Sequence, residues 1–148
     1  MLYLDSSALA KRYLTEPVTA DVTAAMAAEA IVSTSAVGYA ELRGAFARAL
    51  RESRLNPAAH AAVVALLDSH WSRYLVIAAD DARMREAGRL IDHHSAHALR
   101  AFDAIHLASA LRLADGNPAS VTFACWDLRL WRAARDEGVA LLPASEPI

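Results

Sequence analysis

Short apolar runs alternate with longer stretches of helical periodicity along the whole chain, and this alternation restricts the fold more than any single residue does. Apolar runs too short for a buried helix, separated by helical segments, are the pattern of parallel strands joined by crossover helices. Leu2 to Leu4 reads as a first strand stopping at Asp5. Ser6 or Ser7 is placed to cap a helix to about Leu14, and Pro17 suits the first turn of a helix running to about Ala28. Ile31-Val32-Ser33 is a second strand, after which Thr34 or Ser35 caps a long helix to about Arg51. Asn56-Pro57 opens another helix reaching about Trp71, and Tyr74 to Ile77 is a third strand. Helices are expected from about Asp80 to His93-His94 and from about Arg100 to Leu113, the latter stopped by Asp115-Gly116-Asn117-Pro118. Val121 to Cys125, a helix from Leu128 to Glu137 ended by Gly138, and a last strand from Val139 to Leu142 complete the pattern. The expectation is an α/β fold with a mainly parallel sheet of about four to five strands. With no repeat, linker or low-complexity segment in view, residues 1–148 read as one domain.

Composition removes other classes. The chain is 55% hydrophobic and 22% charged, which excludes intrinsic disorder. Five glycines, five prolines and the single Cys125 exclude collagen-like and disulfide-stapled scaffolds. No 18-residue stretch is free of charge, so no membrane span is expected. Met1-Leu2-Tyr3-Leu4-Asp5 has no basic region, so no signal peptide is expected either, and one cysteine is compatible with a reducing cytoplasm. A net charge of −2 argues against nucleic-acid binding by bulk charge alone. Lys11 is the only lysine; the remaining basic residues are arginines, which suit bidentate phosphate contacts, although a coding bias toward Ala and Arg is the simpler account.

Most acids fall on helix surfaces, among them Asp21, Glu29, Glu52, Asp68, Glu86, Asp92, Asp136 and Glu137. Four do not. Asp5 ends the first strand and Asp127 follows the buried run Val-Thr-Phe-Ala-Cys-Trp, so both fall where open α/β sheets form their ligand crevice. Asp103 shares a helix face with Leu107, Ala110 and Ala114. Glu41 borders the core stripe of its helix, with Gly38 and Ala45 leaving room beside it. Each has a plain structural alternative: Asp5, Asp103 and Asp127 as helix caps, Glu41 as the partner of an arginine. As a set, carboxylates gathered in an apolar setting are costly without a cation. Hard oxygen ligands of this kind suit Mg²⁺ or Mn²⁺, which activate water and stabilise charge on a phosphoryl group.

The segments Leu4-Asp5-Ser6-Ser7-Ala8-Leu9, Ser35 to Leu42 with Glu41, Leu99 to Ala108 with Asp103-Ala104-Ile105-His106-Leu107-Ala108, and Phe123 to Leu130 with Asp127 occur in this order. In them the chain resembles the PIN-domain ribonucleases, most closely the VapC-type toxins of bacterial toxin–antitoxin pairs. The resemblance implies an α/β/α sandwich around a parallel sheet and divalent-metal-dependent endoribonucleolytic cleavage. It implies Asp5, Glu41, Asp103 and Asp127 as catalytic acids holding one or two Mg²⁺ or Mn²⁺ ions, with Ser7 orienting metal water or substrate. It also implies a homodimer, an RNA substrate and a cognate antitoxin that inserts across the groove. The chain departs from its relatives at Cys125, where they often carry Thr or Ser; this bears on where Asp127 sits. With the four acids set aside, 13 acids remain against 15 basic residues, so metal-dependent RNA binding is compatible with the overall charge.

Other residues have plainer readings. His93, His94 and His97 read as a solvated helix end, lacking a nearby Cys or acid with zinc spacing. His106 reads as a packed, hydrogen-bonded histidine, and Cys125 as a small core residue. Arg12, Arg43, Arg48, Arg100 and Arg129 are candidates for a phosphate-binding rim, and Leu9, Tyr13 and Leu14 for an apolar docking patch. Two alternatives stand beside the nuclease. One is a PIN-like fold that only binds RNA or protein. The other is a phospho-acceptor receiver using Asp80-Asp81, although receivers carry a lysine after the last strand and this chain has only Lys11.

Overall fold

The computed structural model describes residues 1–14 and 19–147. Its sheet consists of β1 (Leu2–Leu4), β2 (Val32–Ser35), β3 (Leu75–Ile77), β4 (Thr122–Ala124) and β5 (Ala140–Leu142), all parallel, in the order β3-β2-β1-β4-β5. The described helices are α1 (Ser6–Ala10), α2 (Thr19–Ala28), α3 (Val37–Arg51), α4 (Pro57–Trp71), α5 (Asp81–His93), α6 (Ala101–Ala114) and α7 (Leu128–Asp136). Short 3-10 turns at Ser95–His97 and Pro118–Ser120 precede α6 and β4.

The central strand shows why the sheet takes helices on both faces. Successive strand side chains point to opposite sides. Leu2 and Leu4 accordingly pack into a core with Leu9, Val22, Leu42, Phe46 and Leu67, while Tyr3 enters a second core with Leu107, Phe123, Leu130 and Trp131. All three strand residues are buried, as a central parallel strand requires. The sandwich is therefore α/β/α, with α1 to α4 supplying one face and α5 to α7 the other. Two polar residues inside the sheet find carbonyl partners: Ser33 Oγ donates to the Leu2 carbonyl at 3.0 Å and Thr34 Oγ1 to the Leu4 carbonyl at 2.8 Å, whereas buried Ser35 Oγ has none among the described residues.

Several local expectations change. Asp5, rather than Ser6 or Ser7, caps α1, which ends at Ala10 because the chain then tightens into turns up to Leu14. Thr34 and Ser35 stay in β2; α3 starts after Ala36 without a side-chain cap, since both hydroxyls sit inside the sheet. Asn56 does cap α4, accepting from Ala59 N at 2.8 Å, with Pro57 in the first turn. The placement of Pro17 lies outside the described residues. Leu9 and Leu14 are core residues and Tyr13 packs edge-on against Phe46, so the expected apolar docking patch is consumed by the packing of α1 and the turns that follow it. No described helix is long and apolar enough to cross a membrane.

Candidate active site

The strand order reverses between β1 and β4, and a parallel sheet opens a crevice beyond the carboxyl ends of its strands at such a point. Pairing of Leu4 with Ala124 brings the two strand ends level, and the Asp5 amide continues the ladder to the Ala124 carbonyl at 3.2 Å. An open cleft of about 400 Å³ lies there, lined by Asp5, Glu41, Asp103 and Asp127 together with Ser6, Ser7 and His106. All four acids singled out in the sequence thus meet, from four different elements.

Each acid is held by a different local device. Asp5 caps α1, accepting from Ala8 N at 2.7 Å, and Ser7 Oγ donates to its two oxygens at 2.8 and 2.9 Å. Ser7 Oγ itself accepts from Trp126 N at 3.0 Å, so this hydroxyl fastens the end of β4 to the first acid. Asp127 caps α7, its Oδ1 accepting from Arg129 N at 2.9 Å and Leu130 N at 3.2 Å. The cap and the cleft position coexist: one oxygen fixes the helix start and the carboxyl group still faces the acids. The Cys125 thiol, 4.0 Å from the Asp127 carbonyl oxygen, fits below the turn without displacing Asp127 from the cleft.

Glu41 belongs to a buried chain. Tyr3 Oη lies 2.9 Å from His106 Nδ1, and His106 Nε2 lies 2.9 Å from both Glu41 Oε2 and Ser6 Oγ; Ser6 Oγ also donates to Glu41. Burial holds the Tyr3 phenol well above its usual range, so it keeps its proton. Tyr3 thus holds one ring nitrogen of His106 and Glu41 the other, which fixes the ring between them. Close approach of α6 to α3 needs Gly38: a Cβ there would stand 3.1 Å from Thr34 Oγ1 and 3.5 Å from His106 Cε1. His106 is therefore a packed histidine, as its sequence setting suggests, but one whose partner is a cleft acid.

The electrostatics register the crowding. Burial raises Asp5 from 3.8 to about 6, against the lowering influence of His106, the Ala8 amide and Ser7, with the Asp103 charge adding to the rise. Burial also raises Asp103, and the charges of Asp127 and Glu41 add to it while Arg100 opposes them. Glu41 differs: burial pushes it up, but hydrogen bonding and charge from His106, with the Ser6 hydrogen bond, outweigh that and leave it below the ordinary carboxylate range. Asp103 Oδ2 is buried and has no hydrogen-bond partner among the described residues. Buried oxygens without donors are rare and costly, so four converging carboxylates with an orphaned oxygen among them fit a hard divalent cation. Burial, then the charges of Asp5, Asp127 and Asp103, push the Cys125 thiol far up, which excludes it as a nucleophile.

The cations beside the acids only partly match expectation. Lys11, Arg48 and Arg100 line the cleft. Arg12 does not; it lies with Arg73 in a separate cavity, its Nε 3.4 Å from His70 Nδ1. Arg43 donates to Tyr39 Oη at 2.9 Å on the outer face of α3, and Arg129 is exposed beyond the lining. Sequence reasoning missed Ser6 and Lys11 as site residues. The signal for Lys11 was its spacing: Ser7 and Lys11 stand four residues apart, hence on one face of the turns that follow Asp5. Lys11 Nζ sits 5.2 Å from the centre of the Trp126 ring, which borders the fourth acid.

The histidines are also placed differently from expectation. His94 is buried rather than solvated, and its Nε2 lies 2.8 Å from Glu137 Oε1; His97 Nε2 lies 2.7 Å from Asp136 Oδ2. Tertiary packing of α7 brings in two acids that are distant in sequence.

Comparison with known proteins agrees with this fold. A family model described as PIN domain matches residues 2–116. Ribonuclease VapC45 of Mycobacterium tuberculosis (strain CDC 1551 / Oshkosh) is 33% identical over 144 residues, 97% of this chain and 96% of its own length. Among solved structures, FitAcB from Neisseria gonorrhoeae superposes with a TM-score of 0.68 at 22% identity, covering 95% of this chain and 96% of its own. VapBC2 from Rickettsia felis, bound to a DNA fragment from its promoter, gives 0.64 at 14% identity over 95% and 97%.

Proposed function

The chain belongs to the PIN-domain family, and from that premise we propose that it is a divalent-metal-dependent endoribonuclease acting as the toxin of a toxin–antitoxin pair. The observation that carries this reading is the convergence of Asp5, Glu41, Asp103 and Asp127 on one cleft at the point where the strand order reverses. Asp5, Asp103 and Asp127, with Glu41 across from them, would hold one or two Mg²⁺ or Mn²⁺ ions. A divalent ion bound by such ligands lowers the pKa of water and offsets charge on phosphodiester oxygens.

The chain's own residues supply the rest. Ser7 donates to both oxygens of Asp5, which fixes the orientation of this carboxyl. Ser6 and His106 aim Glu41 into the cleft and keep it ionised when its neighbours resist ionisation. Lys11, Arg48 and Arg100 flank the acids and are placed to take RNA phosphates on either side of the scissile bond, positioning the strand without reading bases. The function is further read as that of a single domain over residues 1–148, a homodimer in the cytoplasm, with an antitoxin partner. The toxin–antitoxin assignment is supported by the relationship to Ribonuclease VapC45 and the likeness to VapBC2.

An end-labelled RNA incubated with the purified protein tests the reading. Internal cleavage is expected with Mg²⁺ or Mn²⁺, and none with a chelator or in Asp103→Asn protein that retains its thermal unfolding midpoint. RNA left intact by the folded wild-type protein across both metals would overturn it.

A further inference from the structure

At the far end of α7 a second group of ligating side chains assembles, in which the proposed nuclease chemistry has no part. Three histidines and two carboxylates meet there. His93 ends α5 and His94 is its C-cap; His97 lies in the 3-10 turn Ser95–His97; Asp136 ends α7 and Glu137 is its C-cap. One ligand atom from each of His94, His97 and Asp136 lies within 4.8 Å of the others, and the same holds for His93, His94 and Glu137. Asp127 caps the opposite end of the nine-residue α7, so the helix rise places this cluster roughly 13 Å from that acid.

Three features distinguish the group from chance surface charge. In a 3-10 turn, residues three apart eclipse one another, and the His97 amide donates to the His94 carbonyl at 2.9 Å. His94 and His97 therefore project to one side, their rings nearly parallel at 18° with centroids 5.9 Å apart. Next, His94 is buried, and its Nε2 is held by Glu137 at 2.8 Å; a carboxylate gripping one ring nitrogen orients the ring, as it does for ligating histidines generally. Finally, the C-terminal ends of α5 and α7 both come to the cluster, and the negative ends of their helix dipoles favour a cation there.

We infer that His94, His97 and Asp136 form a second metal site, for a borderline transition ion such as Zn²⁺ or Co²⁺, with Glu137 orienting His94. Two imidazoles and one carboxylate are the donor set such ions prefer, whereas Mg²⁺ favours oxygen alone. The two triads share His94, so the group takes one ion. Bound there, the ion ties the turn that leads into α6, whose first turn carries Asp103, to the end of α7.

Co²⁺ uptake by Asp5→Asn protein in excess Mg²⁺ tests this, because the cleft acids are then both weakened and occupied by a competitor. One equivalent is expected to bind, with the intense visible absorption of nitrogen-ligated, low-coordinate Co²⁺ and a raised unfolding midpoint. His97→Gln added to this background keeps a hydrogen-bond donor for Asp136 but loses the ligand. It should lower Co²⁺ affinity by at least about tenfold and abolish both the band and the midpoint shift. Asp136→Asn provides a second route should His97→Gln not fold. No uptake, or uptake undiminished in folded variants of both kinds, would overturn the assignment and leave two hydrogen-bonded His–carboxylate pairs.

Discussion

Replacing Asp5 by Asn should make the metal-free protein more stable at pH 8 and less stable at pH 4. Asp5 is buried, and its carboxyl ionises at about 6 in the folded protein against 3.8 as its ordinary value. Between these values the unfolded chain gives up the proton while the folded chain keeps it. The folded state therefore binds more protons, and stability falls as pH rises from about 4 to 6, then levels off. At roughly 1.4 kcal/mol per pKa unit, the ionised Asp5 costs about 3 kcal/mol at pH 8 and almost nothing at pH 4. Asn is isosteric and its Oδ1 can keep the hydrogen bond from Ala8 N, but the second oxygen that Ser7 approaches at 2.9 Å becomes an amide nitrogen. Losing that contact costs about 1 kcal/mol at either pH. The variant should thus gain about 2 kcal/mol at pH 8 and lose about 1 kcal/mol at pH 4. Urea unfolding with a chelator present, at both pH values and with unchanged m, measures the difference. Millimolar Mn²⁺ at pH 8 should reverse the order, since the wild type alone retains all the anionic ligands. A variant destabilised equally at the two pH values would refute the reasoning, because the cost would then be packing and not buried charge.

Other perturbations probe other parts of the structure. Tyr3→Phe leaves the His106 Nδ1 without its partner inside the core, so it should cost about 1–3 kcal/mol in thermal or urea unfolding and lower the RNA cleavage rate through Glu41. Gly38→Ala places a methyl group 3.1 Å from Thr34 Oγ1; a loss of about 1–3 kcal/mol is expected, with a displaced His106 ring visible in its side-chain NMR shifts. Arg48→Ala and Arg100→Ala should each raise KM for RNA more than they lower kcat, and should flatten the salt dependence of binding measured by fluorescence anisotropy. Iodoacetamide should leave native Cys125 unmodified at pH 8 and label it once urea unfolds the chain, because burial both covers the thiol and raises its pKa.

Much of this protein is written locally. Period-two and period-3.6 patterning fixes which segments are strands and helices, because burial of one face is decided by neighbours along the chain. Asp5 and Asp127 could be assigned to the cleft from sequence because each directly follows a buried strand, and parallel sheets put such positions at one edge. Asp103 and Glu41 were legible through helix-face arithmetic, together with the resemblance that grouped them with the other two.

Tertiary structure decided what depends on partners distant in the chain. The sequence offered Leu9 and Leu14 as a docking surface, but α1 and the turns after it put them into the core with Val22 and Phe46. It offered Thr34 and Ser35 as helix caps, but pairing with β3 keeps them in the sheet. It described His94 and His97 as solvated, until α7 delivered Asp136 and Glu137 to them across about forty residues of chain. The same holds for the identity of Glu41's partners. Periodicity states which way a side chain faces; only packing states what it meets there, and a pKa or a ligand set is a property of that meeting.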